Sequence, residues 1–196
     1  MSAYINHIFL HLSRQMGFTL SEATINNVAQ LFKKVALKKG DFLLKEGQHC
    51  TQVALVEKGL LMYYHIADGE EVARDFAIEN DWASYIKSTS QKIPSDISIR
   101  ALEDGVVHVL NIETMNRFFQ EHPEFIQIRM KIMEHSFMEI AEYNTNLNGL
   151  SPEEHYKKLV HTKPDWLQRV PQYYIASYLG IKPQSLSRIR KRISSL

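Results

Sequence analysis

The stretch from Pro171 to Ile193, PQYYIASYLGIKPQSLSRIRKRI, restricts the fold more than any other part of the chain. Gly180 stands where the chain must turn sharply with a positive φ, and Pro183 suits the first position of a following helix. Small or apolar residues recur at helical spacing on both sides, which predicts two short helices crossing over a shared seam, a helix-turn-helix. The residues predicted to face that seam are Ile175, Ala176, Leu179, Ile181, Leu186, Ile189 and Ile193.

The outward face of the second predicted helix is entirely polar or basic. Glutamine can bind adenine, and arginine guanine, through paired hydrogen bonds in the major groove of DNA, whereas serine, lysine and arginine also suit phosphates. A helical hairpin with a solvated face is the alternative reading, and Lys182 stands where serine or threonine would usually cap the second helix. The candidate DNA-contacting residues are Gln184, Ser185, Ser187, Arg188, Lys191 and Arg192.

The charge of the chain is distributed unevenly, although its net value is only +1. From Trp166 onward there are six basic residues, beginning with Arg169, and no acidic residue. The other 17 basic residues share the earlier part with all 22 acidic residues, so a part of net −5 precedes a tail of net +6. This asymmetry is typical of a polyanion-binding end, although a solvated basic helix would produce the same count.

Between Lys38 and Asn111 the periodicity is that of strands. Glycines separate short runs rich in β-branched and aromatic residues, and Asp68-Gly69 predicts a type I′ hairpin, whose two turn positions need positive φ. Short strands at roughly ten-residue spacing predict an antiparallel sandwich or barrel flanked by helices, an α+β fold. The predicted strands are Gln52 to Val56, Leu60 to Ile66, Val72 to Ile78, Ile97 to Ala101 and Val106 to Leu110.

Helical periodicity covers residues 4 to 37 and, after the strands, about residues 124 to 144. The second of these helices carries apolar residues on more than one face, with Ile128, Ile132, Ile140 and Tyr143 near heptad spacing. One face can pack on the β domain and another on a partner helix in a homodimer, although burial within a monomer is the alternative. Asn144 to Gly149 is expected to break the helix. The predicted division is an effector domain at 1–122, a dimerisation helix and hinge at 123–147, and a DNA-binding domain at 148–196.

Several protein classes are excluded by composition. Cys50 is the only cysteine, so an internal disulfide, a cysteine-ligated iron–sulfur cluster and a multi-cysteine zinc site are impossible. The first residues lack a secretory signal, and charged residues interrupt every apolar run before it reaches the length of a membrane span. A soluble, cytoplasmic protein without a membrane partner or a cofactor is therefore expected.

The order of these parts resembles the cyclic-AMP receptor/fumarate-nitrate regulator (Crp/Fnr) family over about residues 25 to 196. The signatures are KKGDFLLKEGQ from Lys38, IRALEDGVVHVL from Ile99, and YIASYLGIKPQSLSRIRKRI from Tyr174. The resemblance implies a β-roll effector domain, a long dimerisation helix and a C-terminal helix-turn-helix in which Gln184 and Arg188 contact bases. It further implies a transcription regulator, not an enzyme, whose partners are double-stranded DNA, a second copy of the chain, RNA polymerase and a small-molecule effector. The wing of the DNA-binding domain is expected to be truncated.

The effector site departs from the family pattern. Members that bind cyclic nucleotides hold the ribose through a Phe-Gly-Glu-like run and the phosphate through an Arg-Ser or Arg-Thr pair. With the strand at 99–102 aligned, residues 83–85 replace the first element and Ser95-Asp96 the second. The lost guanidinium and the added carboxylate would cost an anionic ligand roughly a few kcal/mol, so cyclic AMP is not the expected effector unless another cation replaces the arginine. The side chains that could replace it are Arg74 and Lys87. The candidate effector-pocket residues are Ser84, Tyr85, Ser95 and Asp96.

Two other functions use the same fold elements. A metal-dependent enzyme of the cupin type would need histidines of the roll, such as His49, His65 and His108, as ligands, but none of them pair at ligand spacing on one strand face. A small-ligand or protein-interaction module that does not bind DNA is the other alternative.

Overall fold

A computed structural model describes residues 3–15, 17 and 20–193 of the chain. The helices are α1 (Ala3–Gln15), α2 (Glu22–Gln30), α3 (Ile86–Gln91), α4 (Ile112–Glu121), α5 (Phe125–Gly149), α6 (Pro152–Thr162), α7 (Pro164–Arg169), α8 (Gln172–Tyr178) and α9 (Pro183–Ile193). The strands are β1 (Lys33–Leu37), β2 (Phe42–Leu44), β3 (Gln52–Lys58), β4 (Leu61–Ala67), β5 (Glu70–Ala77), β6 (Trp82–Ala83), β7 (Ser98–Ala101) and β8 (Gly105–Asn111).

The strands form two antiparallel four-stranded sheets, in the orders β1-β8-β3-β6 and β2-β7-β4-β5. Together with the flanking helices they confirm the predicted α+β fold with an antiparallel β-roll. The hairpin between β4 and β5 turns at Asp68 (φ 51°) and Gly69 (φ 80°), which confirms the predicted turn. No helix in the described ranges is both long enough and apolar enough to cross a membrane.

Successive residues of a strand point to opposite faces of its sheet and so belong to different hydrophobic cores. The inner faces of the two sheets enclose one core around Val56, Ile99 and Val107. The outer face of the sheet that contains β3 and β8 packs through Leu55 and Leu110 against α1, α2, α4 and α5. The roll is therefore a two-sheet sandwich whose outer faces are also buried.

The outer face of the other sheet is covered by the C-terminal helices. Met62 and Phe76 of that sheet share one core with Trp166, Tyr178 and Leu186. The Trp166 ring lies edge-on to Phe76, with centroids 5.1 Å apart, and to Tyr178, at 5.4 Å. Aromatic pairs in this geometry contribute beyond the area they bury, so the roll and the C-terminal helices form one packed unit.

Two expectations about helices are wrong. The helical pattern predicted up to Leu37 ends at Gln30, because residues 33–37 pair with β8 in an antiparallel ladder, and this long-range pairing overrides the local periodicity. The break predicted at 144–149 is absent, since α5 continues through Gly149 and is capped at Leu150. Side chains bond the helix's own carbonyls there, as in the contact from Asn148 Nδ2 to the Asn144 carbonyl oxygen at 2.9 Å.

Candidate nucleic-acid interface and effector cassette

The turn between α8 and α9 has the geometry predicted for Gly180. Its φ is +68°, a conformation that glycine adopts without steric cost. The amide of Ile181 donates to the Ala176 carbonyl at 2.9 Å, so the free end of α8 is closed by backbone hydrogen bonds. The Lys182 carbonyl accepts from the amides of Ser185 and Leu186 at 3.0 and 3.2 Å, which closes the first turn of α9.

The α9 helix turns one face inward and one outward. Leu186 and Ile189 are buried, with 1% and 6% of their surface exposed. Four of the predicted DNA-contacting residues, at relative positions 0, 3, 4 and 7, share the opposite, exposed face, which is the spacing of one helix surface. These four residues are Gln184, Ser187, Arg188 and Lys191.

The other two predicted contacts are less exposed or already paired. Ser185 is half-buried. The Arg192 guanidinium lies 3.1 Å from a carboxylate oxygen of Glu153 on α6, but its side chain remains 65% exposed. Because exposed pairs of this kind contribute little free energy, Arg192 can exchange this carboxylate for a phosphate.

Arg169 does not belong to a nucleic-acid surface, although the sequence places it in the basic tail. Its guanidinium donates to Glu79 at 2.7 and 3.1 Å and also forms a hydrogen bond with Glu103. These bonds from Arg169 hold the pKa of Glu79 at about 2, well below its usual range. The interpretation of Arg169 as part of the polyanion-binding end is therefore corrected: it joins α7 to the turns of the roll.

A second set of polar contacts joins α8 to the roll. Arg100 donates to both carboxylate oxygens of Glu71 at 2.6 Å, and Tyr174 bonds the same carboxylate. Bidentate arginine–carboxylate pairs combine strength with fixed geometry. The amide of Ala73, on the edge strand β5, donates to Ser177 Oγ at 3.0 Å. The helix-turn-helix is thus oriented by polar contacts as well as by the shared core.

The candidate effector-pocket residues Ser84, Tyr85, Ser95 and Asp96 are called here the effector cassette. Within it, Asp96 bonds two neighbouring side chains. The Tyr85 hydroxyl donates to Asp96 Oδ1 at 2.6 Å, and Lys87 Nζ pairs with Oδ2. The bond from Lys87 and then that from Tyr85 lower the pKa of Asp96 to about 2, while burial and the Asp96 carboxylate raise the pKa of Tyr85 to about 12. A carboxylate that stays ionised repels a phosphate at this position. The positive charge of Lys87 is already paired with the same Asp96 carboxylate.

The two predicted serines make contacts within the protein. Ser95 is buried, and its hydroxyl donates to the Ile97 carbonyl at 2.7 Å and accepts from the Ile97 amide at 3.2 Å, so it shapes a turn. The Ser84 amide donates to the hydroxyl of Tyr63 at 3.3 Å. The sequence analysis did not identify Tyr63 as part of this site. The alternation of side chains along β4 indicates its direction, because Leu61, on the same strand face, points into the core between the sheets.

A small cavity adjoins the cassette at Ser84. A cavity of about 160 Å³ is lined by Ser84, Cys50 and neighbouring residues, whereas small-molecule sites span roughly 300–1,000 Å³. Arg74, the other cation proposed to replace the missing arginine, donates from Nε to His65 Nδ1 at 3.1 Å.

Within the described part of the chain, no group of three or more His, Cys, Asp or Glu side chains is arranged to hold a metal ion.

Comparisons with known proteins agree with this description. Residues 34–122 match the model of the cyclic nucleotide-binding domain family. No curated protein matches the chain by sequence.

Among solved structures, FixK2 from Bradyrhizobium japonicum is similar to the chain, with a TM-score of 0.71 and 12% identity, covering 84% of this chain and 85% of that one. The c-di-GMP responsive global regulator CLP from Xanthomonas campestris gives a TM-score of 0.70 at 13% identity, covering 89% and 92% of the two chains. An Eubacterium rectale protein assigned to the Crp/Fnr family gives 0.66 at 14% identity, covering 90% and 84%. Residues 34–122 are therefore similar to the cyclic nucleotide-binding domain family, and the chain shares the overall fold of these three solved structures.

Proposed function

We propose that this protein is a cytoplasmic, DNA-binding transcription regulator of the Crp/Fnr type that acts as a homodimer and answers to an effector other than cyclic AMP. The observation that carries the proposal is the exposed face of α9, where two basic and two hydrogen-bonding side chains share one surface of a helix-turn-helix. Two of the similar solved structures, CLP and the Eubacterium rectale protein, are described as regulators, which supports the same function.

The proposed DNA contact places α9 in the major groove. Gln184 and Arg188 lie one turn apart on the exposed face, and Arg188 Nε is 3.4 Å from the Gln184 carbonyl, so both side chains project from the same part of the helix. Glutamine reads adenine and arginine reads guanine, while Lys191, one turn further along, suits a phosphate. A dimer would place two such helices roughly 34 Å apart, one turn of B-DNA.

The proposed dimer interface is a stripe on α5. Its members alternate steps of four and three residues and are largely exposed, while Phe125, Ile128 and Ile132 on another face pack inside the protomer. An apolar heptad seam of this kind matches a second copy of itself in a parallel coiled coil. The stripe consists of Ile126, Met130, Met133, Phe137, Ile140, Asn144 and Leu147. Of the heptad positions suggested by the sequence, Ile140 belongs to this stripe, whereas Ile128, Ile132 and Tyr143 pack inside the protomer.

Asn144 is the one polar residue in this stripe, and it occupies an a position when Phe137 is assigned to a. A single asparagine at an a position favours a parallel, in-register pair, because its amide is satisfied only by the same residue of the partner helix. The self-complementary pattern therefore supports a symmetric homodimer.

The recognition role of α9 is tested by two substitutions with different expected signatures. Arg188→Ala should weaken binding to a selected genomic site by about 1–3 kcal/mol and relax preference at one base pair, because a base contact is lost. Lys191→Ala should weaken all sequences alike and reduce the salt dependence of binding. Fluorescence anisotropy on selected and scrambled duplexes at several salt concentrations measures both; unchanged affinity in both variants contradicts the assignment of α9.

Cyclic AMP is expected to have no effect on the free protein. With Asp96 ionised and Tyr63 bonded to the Ser84 amide, about 1 mM cyclic AMP should shift the melting temperature by less than about 1 °C. Selected operator DNA, which should stabilise the protein, is the positive control for the thermal-shift measurement. A saturable stabilisation by cyclic AMP would show that the cassette still binds it.

A further inference from the structure

A second cavity adjoins the effector cassette at Ser84 and extends away from it. It measures about 400 Å³, opens to solvent, and is lined by α3, α4, α5, the first two helices and the outer face of the sheet that contains β3. Most of its wall is apolar, with the aromatic rings of Phe32, Trp82 and Phe119 and the side chains of Met115 and Ile132. Its volume falls within the range of small-molecule sites, and a largely apolar wall with few polar groups is their usual composition.

The charged groups at this cavity all have the same sign. Lys92 and Arg129 line it, whereas no aspartate or glutamate does. The Arg129 guanidinium lies over the Phe119 ring, 5.6 Å from the centroid, and donates to Asn116 Oδ1 at 3.1 Å, and both partners also line the cavity. In the described ranges, neither cation forms an ion pair with a carboxylate. A guanidinium held on the wall of an apolar cavity favours a ligand with one negative charge.

The cavity is lined by residues of both α3 and α5. Thr89 and Ser90 on one side belong to α3, the helix of the effector cassette, and Met133 and Ser136 on the other belong to α5. Met133 is at the same time a member of the exposed heptad stripe. A ligand here would contact the cassette and the proposed dimer helix together.

We propose that this cavity binds an amphipathic monocarboxylate, with its apolar body between Trp82 and Phe119 and its carboxylate at Arg129 and Lys92. The apolar wall accounts for affinity through burial, and the two cations select the carboxylate over a neutral head group of the same length. The site shares Ser84 with the effector cassette, but Tyr85, Lys87 and Asp96 do not line it. Ligand binding is measured without DNA, so its outcome is independent of the proposed DNA-binding function.

The test is calorimetric titration of the full chain with decanoate, kept below its micelle concentration, against decanol and decyltrimethylammonium. Decanoate should bind saturably, with a Kd at least about tenfold below that of decanol, and the quaternary ammonium should not bind. Binding should also change the emission of Trp82, which lines the cavity.

Two variants locate the site. Arg129→Gln should raise the Kd for decanoate about tenfold and bring it close to that for decanol, while Arg117→Gln, an exposed arginine of α4 outside the cavity, should leave it unchanged. Thr89→Trp fills the cavity from a half-buried position and should abolish binding with the fold retained, as judged by circular dichroism. Absence of saturable binding, equal affinity for decanol, or an unchanged Kd in Thr89→Trp would each overturn the proposal.

Discussion

Replacement of Phe137 by glutamate is expected to convert the dimer into monomers and to weaken binding to a two-fold-symmetric operator by about 10²–10⁴-fold. Phe137 is 69% exposed in the single chain and stands in the middle of the heptad stripe on α5. In a parallel coiled coil it would be buried against its counterpart, so two carboxylates would be brought together in an apolar seam. Without a dimer each half-site is bound separately, and the gain from linking two contacts is lost.

Met138 provides the matched control for this prediction. Like Phe137 it is an exposed apolar side chain on α5, with 61% of its surface exposed. It lies at a b position, next to the stripe but outside it. Met138→Glu should stay dimeric and bind the operator normally. Analytical ultracentrifugation at micromolar concentration, combined with binding to full and half operators, measures both effects. A Phe137→Glu protein that remains dimeric would show that the stripe is not the interface.

Asp75→Asn is expected to stabilise the folded protein at alkaline pH and to have little effect near pH 4.5. Asp75 lies in β5, and burial, followed in the same direction by the negative charges of Glu139 and Asp81, raises the pKa of its carboxyl to about 7, against the lowering effects of the Phe76 amide and Lys163. The folded-state pKa is above the unfolded value, so the protonated form is favoured in the folded state. The stability this provides is complete below about pH 4 and is lost as pH rises to about 7.

The size of this effect is set by the pKa difference of about three units, which corresponds to at most roughly 4 kcal/mol. Asp75 keeps some contact with solvent, so we expect about 1–3 kcal/mol at pH 8. Urea unfolding of the wild type and Asp75→Asn between pH 4.5 and 8.5 should show a difference that grows with pH. Asp68→Asn, at an exposed turn position, should show no such trend, and a constant difference for Asp75→Asn would contradict the assignment.

The helix-turn-helix could be predicted from sequence because its determinants are local. The apolar spacing from Ile175 to Ile193, and the glycine at 180, act within a few residues of one another, and the structure reproduces both. The hairpin at Asp68-Gly69 was predictable for the same reason. The candidate base-reading residues Gln184 and Arg188 follow from the helix alone, since its inward face is determined by Leu186 and Ile189.

The charge count was a weaker guide, because it treats every basic residue of a segment alike. Arg169 is separated by 66 and 90 residues from the two carboxylates it bonds, and no local pattern connects them. The face of α5 that stays exposed was also undecided, because Ile128 and Ile140 are equally apolar in sequence. Packing against the first two helices buries Ile128 and leaves Ile140 53% exposed.

The sequence by itself determined the two helices of the helix-turn-helix, most of the strands and the residue types on the outward face of α9, because these depend on periodicity and turn chemistry between near neighbours. Only the tertiary structure decided that Arg169 bonds Glu79 and Glu103, that Tyr63 accepts a bond from the Ser84 amide, and that an apolar cavity with Arg129 on its wall lies beside α5. The physical reason is that burial and ion pairing arise from contacts between distant segments, which the order of residues along the chain does not display.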